Sequence, residues 1–138
     1  MQFKMLSAVM VLFFATHSVV QAEGVSKEFK LEKGRTSGTV SGCVNGANMD
    51  EYLLGAKQGQ MMVVSIESEE NNAVFDLYYL TDDGDNGWKI VNGAGGDERK
   101  KWEGRLPSDG GVGKSECYKI EVGKERGNAC YKLKVSIK

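Results

Sequence analysis

A single histidine, His17, occurs in the 138-residue sequence, and it falls within an apolar leader. Without a histidine beyond that leader, nucleophiles activated by histidine, histidine general bases and most catalytic zinc sites are excluded. A basic excess is also missing: 18 Lys and Arg stand against 19 Asp and Glu, which gives no support for nucleic-acid binding. Apolar runs are short. The only one of note, Met5 to Ala15, falls below the ~18 to 20 residues that a membrane-spanning helix needs, so no membrane span is expected. Proline occurs once, at Pro107, and no stretch has the amphipathic period of a confident helix.

The leader has the three parts of a secretory signal. Lys4 supplies the positive region, Met5 to Ala15 the apolar run, and Val20-Gln21-Ala22 the small-residue cleavage pattern before Glu23-Gly24. Residues 1–22 are therefore read as a signal peptide and 23–138 as one exported, periplasmic domain. No cysteine follows the cleavage point directly, and Cys43 lies too far downstream, which argues against a lipid anchor. Lys4 is the only charged residue in the leader, so the remaining chain keeps 17 basic and 19 acidic residues, a net charge of −2. That length suits one core.

Period-two alternation with Gly, Asn and Asp clusters between runs dominates from Phe29 onward. Candidate strands are 28–32, 36–44, 51–57, 60–67, 74–81, 88–91, 101–106, 117–122 and 129–137. The fold class is all-β, an antiparallel β-sandwich of about eight strands. Met62, Val64 and Ile66 share one face of a strand that is apolar on both sides, which places it centrally in its sheet. Pro107 ends a strand.

Cys43, Cys117 and Cys130 form an odd set in a compartment that allows disulfides. Reading Gly123-Lys124 as a two-residue turn makes a hairpin of the last two strands and sets Cys117 opposite Cys130 at a non-hydrogen-bonded site, where side chains approach most closely. The expected bridge is Cys117–Cys130, with Cys43 free; the rival pairs Cys43 with one of the others across the sheets. The same register puts Tyr118 on the core face. Three scattered cysteines without histidine lack metal-ligand spacing, and no metal or other cofactor is expected. The Asp82-Asp83-Gly84-Asp85-Asn86-Gly87 cluster fails as a calcium loop because Gly87 falls at the fifth ligand position and no glutamate at the twelfth.

Lys33-Gly34-Arg35, Val40-Ser41-Gly42, Asp50-Glu51-Tyr52, Ala56-Lys57-Gln58-Gly59-Gln60 and Val64-Ser65-Ile66, followed by Leu106-Pro107, Tyr118, Arg126, Tyr131 and Ile137-Lys138, run in an order that resembles the periplasmic inhibitors of g-type lysozyme. The resemblance implies an eight-stranded antiparallel sandwich that is not an enzyme and whose partner is a lysozyme of g- or i-type. Loops at Asn45 to Asp50, Asp82 to Gly87 and Ser108 to Ser115 would then form a ridge filling the enzyme's groove, with Asp83 in the second of them.

Ser115-Glu116-Cys117-Tyr118 keeps the serine-to-tyrosine spacing of the related i-type inhibitors but has Glu116 in place of glycine, so Ser115 and Tyr118 become contact candidates. Arg126 matches the first of two g-type arginines. Cys130 stands at the position of the second, and Ala47 at that of a contact tyrosine. A different class, a carbohydrate-binding sandwich of the pre-peptidase C-terminal type, would use Trp88 or Trp102 as a stacking platform.

Export has a direct check. Intact-mass analysis of periplasmic protein should place the N-terminus at Glu23; a chain still starting at Met1 would refute the leader reading.

Overall fold

The computed structural model describes residues 24, 26–81, 87–95, 99–107 and 117–138. Nine strands account for most of them: β1 Ser26–Glu28, β2 Ser37–Val44, β3 Asp50–Gly55, β4 Met61–Ser68, β5 Ala73–Leu80, β6 Trp88–Ile90, β7 Lys101–Arg105, β8 Cys117–Lys124 and β9 Ala129–Ile137. No helix among the described residues is long and apolar enough to cross a membrane.

The strands form two sheets, ordered β1-β3-β8-β5-β6 and β2-β9-β4-β7. Alternation decides which side chains meet between them. Tyr52, Leu54, Phe75, Leu77, Tyr118, Ile120 and Val122 point inward from the first sheet, and Met62, Val64, Ile66, Tyr131, Leu133 and Val135 from the second, all buried. Each such side chain contributes about 1.5–3 kcal/mol relative to exposure. As the sequence predicts, β4 is central in its sheet, between β9 and β7. β1 is the departure from an all-antiparallel plan, since it pairs in parallel with β3. The strand expected over 28–32 ends early because Phe29 turns into the core while its N–H still donates to the Leu53 carbonyl.

Conserving pairing at the strand ends falls to short polar turns. Between β3 and β4 the chain reverses at Lys57–Gln60, where Gly59 takes a φ of 82°, a left-handed conformation that disfavours side chains. The Lys57 N–H donates to Gln60 Oε1 at 2.7 Å, the Gly59 N–H donates to the Leu106 carbonyl, and the Leu106 N–H donates to the Gln60 carbonyl. The Gln-Gly-Gln and Leu-Pro motifs are thus two halves of one structural joint.

The expected Cys117–Cys130 bridge is corrected by the structure: the disulfide joins Cys43 to Cys130, and Cys117 is the free thiol. Gly123-Lys124 does not turn. Both residues extend β8, paired with Val74 and Ala73, and the reversal comes at 125–128. More fundamentally, β8 and β9 are not partners. The chain crosses there from one sheet to the other, so Cys117 faces outward from the first sheet and Cys130 outward from the second, on opposite sides of the sandwich. Alternation reports which face a residue takes and is the same whether two strands are neighbours or oppose each other across a core. The true partner is set by the β2–β9 register, in which Cys43 lies directly opposite Cys130.

Peptide mapping without reductant should recover Cys43 linked to Cys130 and an alkylatable Cys117; a Cys117–Cys130 peptide would contradict the topology. The bridge spans a sequence separation of 87, for which chain entropy gives a stabilisation of about 4.5 kcal/mol as an upper value. The Cys43→Ala, Cys130→Ala double variant should therefore lose ~2–4.5 kcal/mol in urea denaturation.

Candidate functional site

The strand registers sort the loops to two ends of the sandwich. Val44 pairs with Ala129, Asp50 with Val122 and Ala73 with Lys124, so the loops 45–49, 69–72 and 125–128 gather at one end. Leu80 pairs with Trp88, Met61 with Arg105 and Gly55 with Cys117, so the strand ends that flank 81–87 and 106–116 lie at the other. The ridge expected from Asn45 to Asp50, Asp82 to Gly87 and Ser108 to Ser115 is thereby split: its first loop stands at the opposite end from the strand ends that carry the other two. Loop positions cannot be assigned to an end without knowing strand pairing, which the alternation pattern does not contain.

Of the contact candidates, Asp83 and Ser115 lie outside the described residues. Tyr118 is 2% exposed and donates its hydroxyl to the Pro107 carbonyl at 3.0 Å. Arg126 sits on the 125–128 loop with its side chain 62% exposed. Ala47 and Cys130, which the resemblance aligns with two further contact positions, belong to the same end, on and beside the loops that hold Arg126.

That end is built from hydrogen bonds the sequence gives little hint of. Asn72, 1% exposed, donates its side-chain amide to the carbonyls of Arg126 at 3.0 Å and Asn128 at 2.9 Å, and the Glu125 N–H donates to the Asn72 carbonyl. Ser68 holds Asn72 in turn, giving its hydroxyl proton to Asn72 Oδ1 and accepting from the N–H groups of Asn72 and Ala73. The Gly46 N–H donates to Asn128 Oδ1, tying the 45–49 loop to the same point. In the Glu-Glu-Asn-Asn run, Asn72 reads only as a turn residue; nothing local marks it as a clamp.

Arg126 itself donates to the Glu70 carbonyl at 2.7 Å and lies 3.5 Å from the Glu125 carboxylate, which Lys100 also approaches at 3.5 Å. Asn71, Lys100, Glu125 and Arg126 line an open cleft of about 400 Å³. Only the Arg126 end of this pair is open to solvent, and Glu125 keeps Lys100 as a second partner, so the guanidinium is positioned by the loop with its charge turned to water.

Beneath the loops lies a buried polar floor. Tyr131 donates its hydroxyl to Asp50 Oδ2 at 2.6 Å, and the Tyr52 hydroxyl is 2.6 Å from that of Tyr131. Because Tyr131 gives its proton to Asp50, Tyr52 must be the donor in the second bond. Gly42, opposite Tyr131 in the ladder, makes the room: a Cβ there would stand 2.5 Å from the Tyr131 hydroxyl oxygen and 3.1 Å from Asp50 Oδ2. Burial, then the hydrogen bonds to Asp50 and Tyr52, push the Tyr131 hydroxyl pKa well above the usual tyrosine range. Among the described residues no three His, Cys, Asp or Glu side chains are grouped to hold a metal ion.

The architecture is that of an all-β sandwich with a rigidly clamped loop end. By sequence, the chain matches no family model and no curated protein. By structure it is similar to PliG of Aeromonas hydrophila, a periplasmic inhibitor of g-type lysozyme, with a TM-score of 0.64 and 25% identity over 84% of this chain and 98% of that one. PliG of Salmonella Typhimurium is similar at a TM-score of 0.55 and 23% identity, over 83% of this chain and 99% of that one. The pre-peptidase C-terminal domain of a Bacillus anthracis collagenase follows at 0.51 and 14%, over 86% of this chain and 99% of that one. The last two likenesses show the fold alone.

Tyr131→Phe tests the floor. It removes the hydrogen bond that Tyr131 gives to the buried Asp50 carboxyl, which should cost ~1–3 kcal/mol at neutral pH. The alkaline limb has a definite sign. The raised folded pKa means that the stability from Tyr131 is full below pH ~10 and is lost as pH climbs above it, at about 1.4 kcal/mol per unit, because the unfolded chain sheds that proton first. Urea melts should show a shallower alkaline slope in the variant; an unchanged slope would show that Tyr131 is not held as described.

Proposed function

We propose that this chain is a periplasmic, non-enzymatic inhibitor of g-type lysozyme that docks through the loop end carrying Arg126. The observation that carries the reading is the likeness to the Aeromonas hydrophila inhibitor, which spans almost the whole of that protein. Residues 1–22, read as an export signal, agree with a periplasmic site of action.

The mechanism follows from the chemistry of the target class. Glycosidases flank the scissile bond with a pair of carboxyl groups in a groove. A guanidinium presented on a clamped loop offers charge-assisted, fork-shaped donors to such a carboxylate, while the adjoining loops exclude substrate. The clamp matters because loops ordered beforehand lose less entropy on docking. Inhibition of this kind needs no catalytic group of its own.

Two placements weigh against the other readings. The i-type mode requires the Tyr118 hydroxyl to enter the enzyme, but that group is buried and bonded to Pro107. The carbohydrate-module reading requires an open tryptophan face. Trp102 is buried, with its indole N–H donating to the Asn92 carbonyl, and Lys119 Nζ lies 4.9 Å from the centre of the Trp88 ring.

Purified protein titrated against g-, i- and c-type lysozymes in a cell-wall lysis assay should inhibit the g-type enzyme. Arg126→Ala should weaken that inhibition ~10- to 100-fold, a loss of about 1.4–2.7 kcal/mol, with an unchanged melting temperature. Tyr118→Phe should lower stability and leave the inhibition constant alone. No inhibition of any lysozyme at micromolar concentration would overturn the reading.

A further inference from the structure

Four strands end the two sheets, and three of them are blunted in the usual ways. β1 and β6 are three residues long and carry Lys27, Glu28 and Lys89, and β7 turns Lys101, Glu103 and Arg105 to solvent. Short length and charge are what keep an edge from pairing with another chain. β2 has neither. Its eight residues, Ser37-Gly38-Thr39-Val40-Ser41-Gly42-Cys43-Val44, contain no charge and no proline, and no described strand pairs with its outer side.

The direction of its free backbone groups is fixed by the ladder. The Ile137 N–H donates to the Thr36 carbonyl, so even-numbered residues of this strand bond to β9, and Ser37, Thr39, Ser41 and Cys43 aim their N–H and C=O groups outward. The sequence is also near-symmetric about Val40. Thr39 answers Ser41, Gly38 answers Gly42, and Ser37 answers Cys43.

We propose that the chain forms a two-fold dimer in which β2 pairs antiparallel with β2 of a second copy about an axis at Val40. In that register the outward groups of Ser37 meet those of the partner's Cys43, and those of Thr39 meet those of the partner's Ser41, each as a hydrogen-bonded pair. Two four-stranded sheets become one of eight. On the outer surface the Thr39 hydroxyl faces that of the partner's Ser41 and Ser37 faces the partner's Cys43, itself bridged to Cys130, glycine faces glycine, and Val40 meets its own copy, a self-complementary arrangement of the kind a two-fold axis requires.

Electrostatics permit it. Lys132 and Lys134 lie on β9, one strand in from the join, while Lys30, Glu32 and Arg35, which border the groove lined by Ser37 to Val40, are held in the ion pairs Lys30–Glu28 and Arg35–Glu32. At ~4.8 Å per strand a β9-to-β9 separation is about 14 Å, beyond the ~8 Å screening length at physiological salt. The antiparallel axis also sends the two Arg126 loop ends in opposite directions, leaving both open to a partner. The dimer does not depend on what those ends bind.

Analytical ultracentrifugation of the exported protein from ~1 to ~200 μM should show a monomer–dimer equilibrium with a micromolar dissociation constant, as expected for an interface made by one strand pair. Thr39→Lys with Ser41→Lys places lysines opposite lysines across the join and should raise that constant at least ~30-fold; because each new lysine also stands opposite Lys134 or Lys132 on β9 of its own chain, a small drop in the melting temperature of a still folded protein accompanies it. Register is read separately by mild oxidation. Val40→Cys should cross-link to a covalent dimer, because it meets itself at a non-hydrogen-bonded site; Ser37→Cys, which meets the partner's Cys43, should not. A monomer throughout the concentration range, or a dimer indifferent to the two lysines, would overturn the proposal.

Discussion

The structure turns on one buried carboxyl group. Asp50, 3% exposed, stands at the start of β3 in one sheet and accepts the hydroxyl proton of Tyr131, near the start of β9 in the other. A hydrogen bond lost from a buried acidic group costs more than most single contacts contribute, so the pair ties the two sheets to each other. Gly42 is bound by the same constraint, because any side chain at that position of β2 would occupy the hydroxyl's place. Tyr52 completes the chain of donors and meets Tyr131 edge to face across the core.

From this floor the loop end is built upward. The 45–49 loop enters β3 at Asp50, and the 125–128 loop enters β9 two residues before Tyr131. Both therefore leave the sandwich at points the carboxyl pair has fixed. Asn72 and Asn128 then join the loops to each other, and the Cys43–Cys130 bridge fastens β2 to β9 beside them. Arg126 is the exposed cation that this assembly holds out.

The strands and their buried faces were legible because alternation is a direct record of burial: the β4 and β9 patterns read in the structure as they read in the sequence. Strand partnership left no such record. Tyr118 and Tyr131 share an alternating pattern across the 125–128 loop although they belong to different sheets, and the disulfide assignment failed with that distinction. The motifs behind the resemblance, Gly42, Asp50, Tyr52, the Gln58-Gly59-Gln60 turn and Leu106-Pro107, belong to the floor and to the β3–β4 joint. They explain why the fold was recognisable and why they say little about the target. Arg126 was found by its matched position, whereas Asn72, which holds its loop, looked like any turn asparagine.

Hydrogen–deuterium exchange of the chain with and without a g-type lysozyme tests the central claim most directly. The account predicts new protection in peptides covering 45–49, 69–72 and 125–128. Protection confined to 81–87 and 106–116, at the other end of the sandwich, would contradict it.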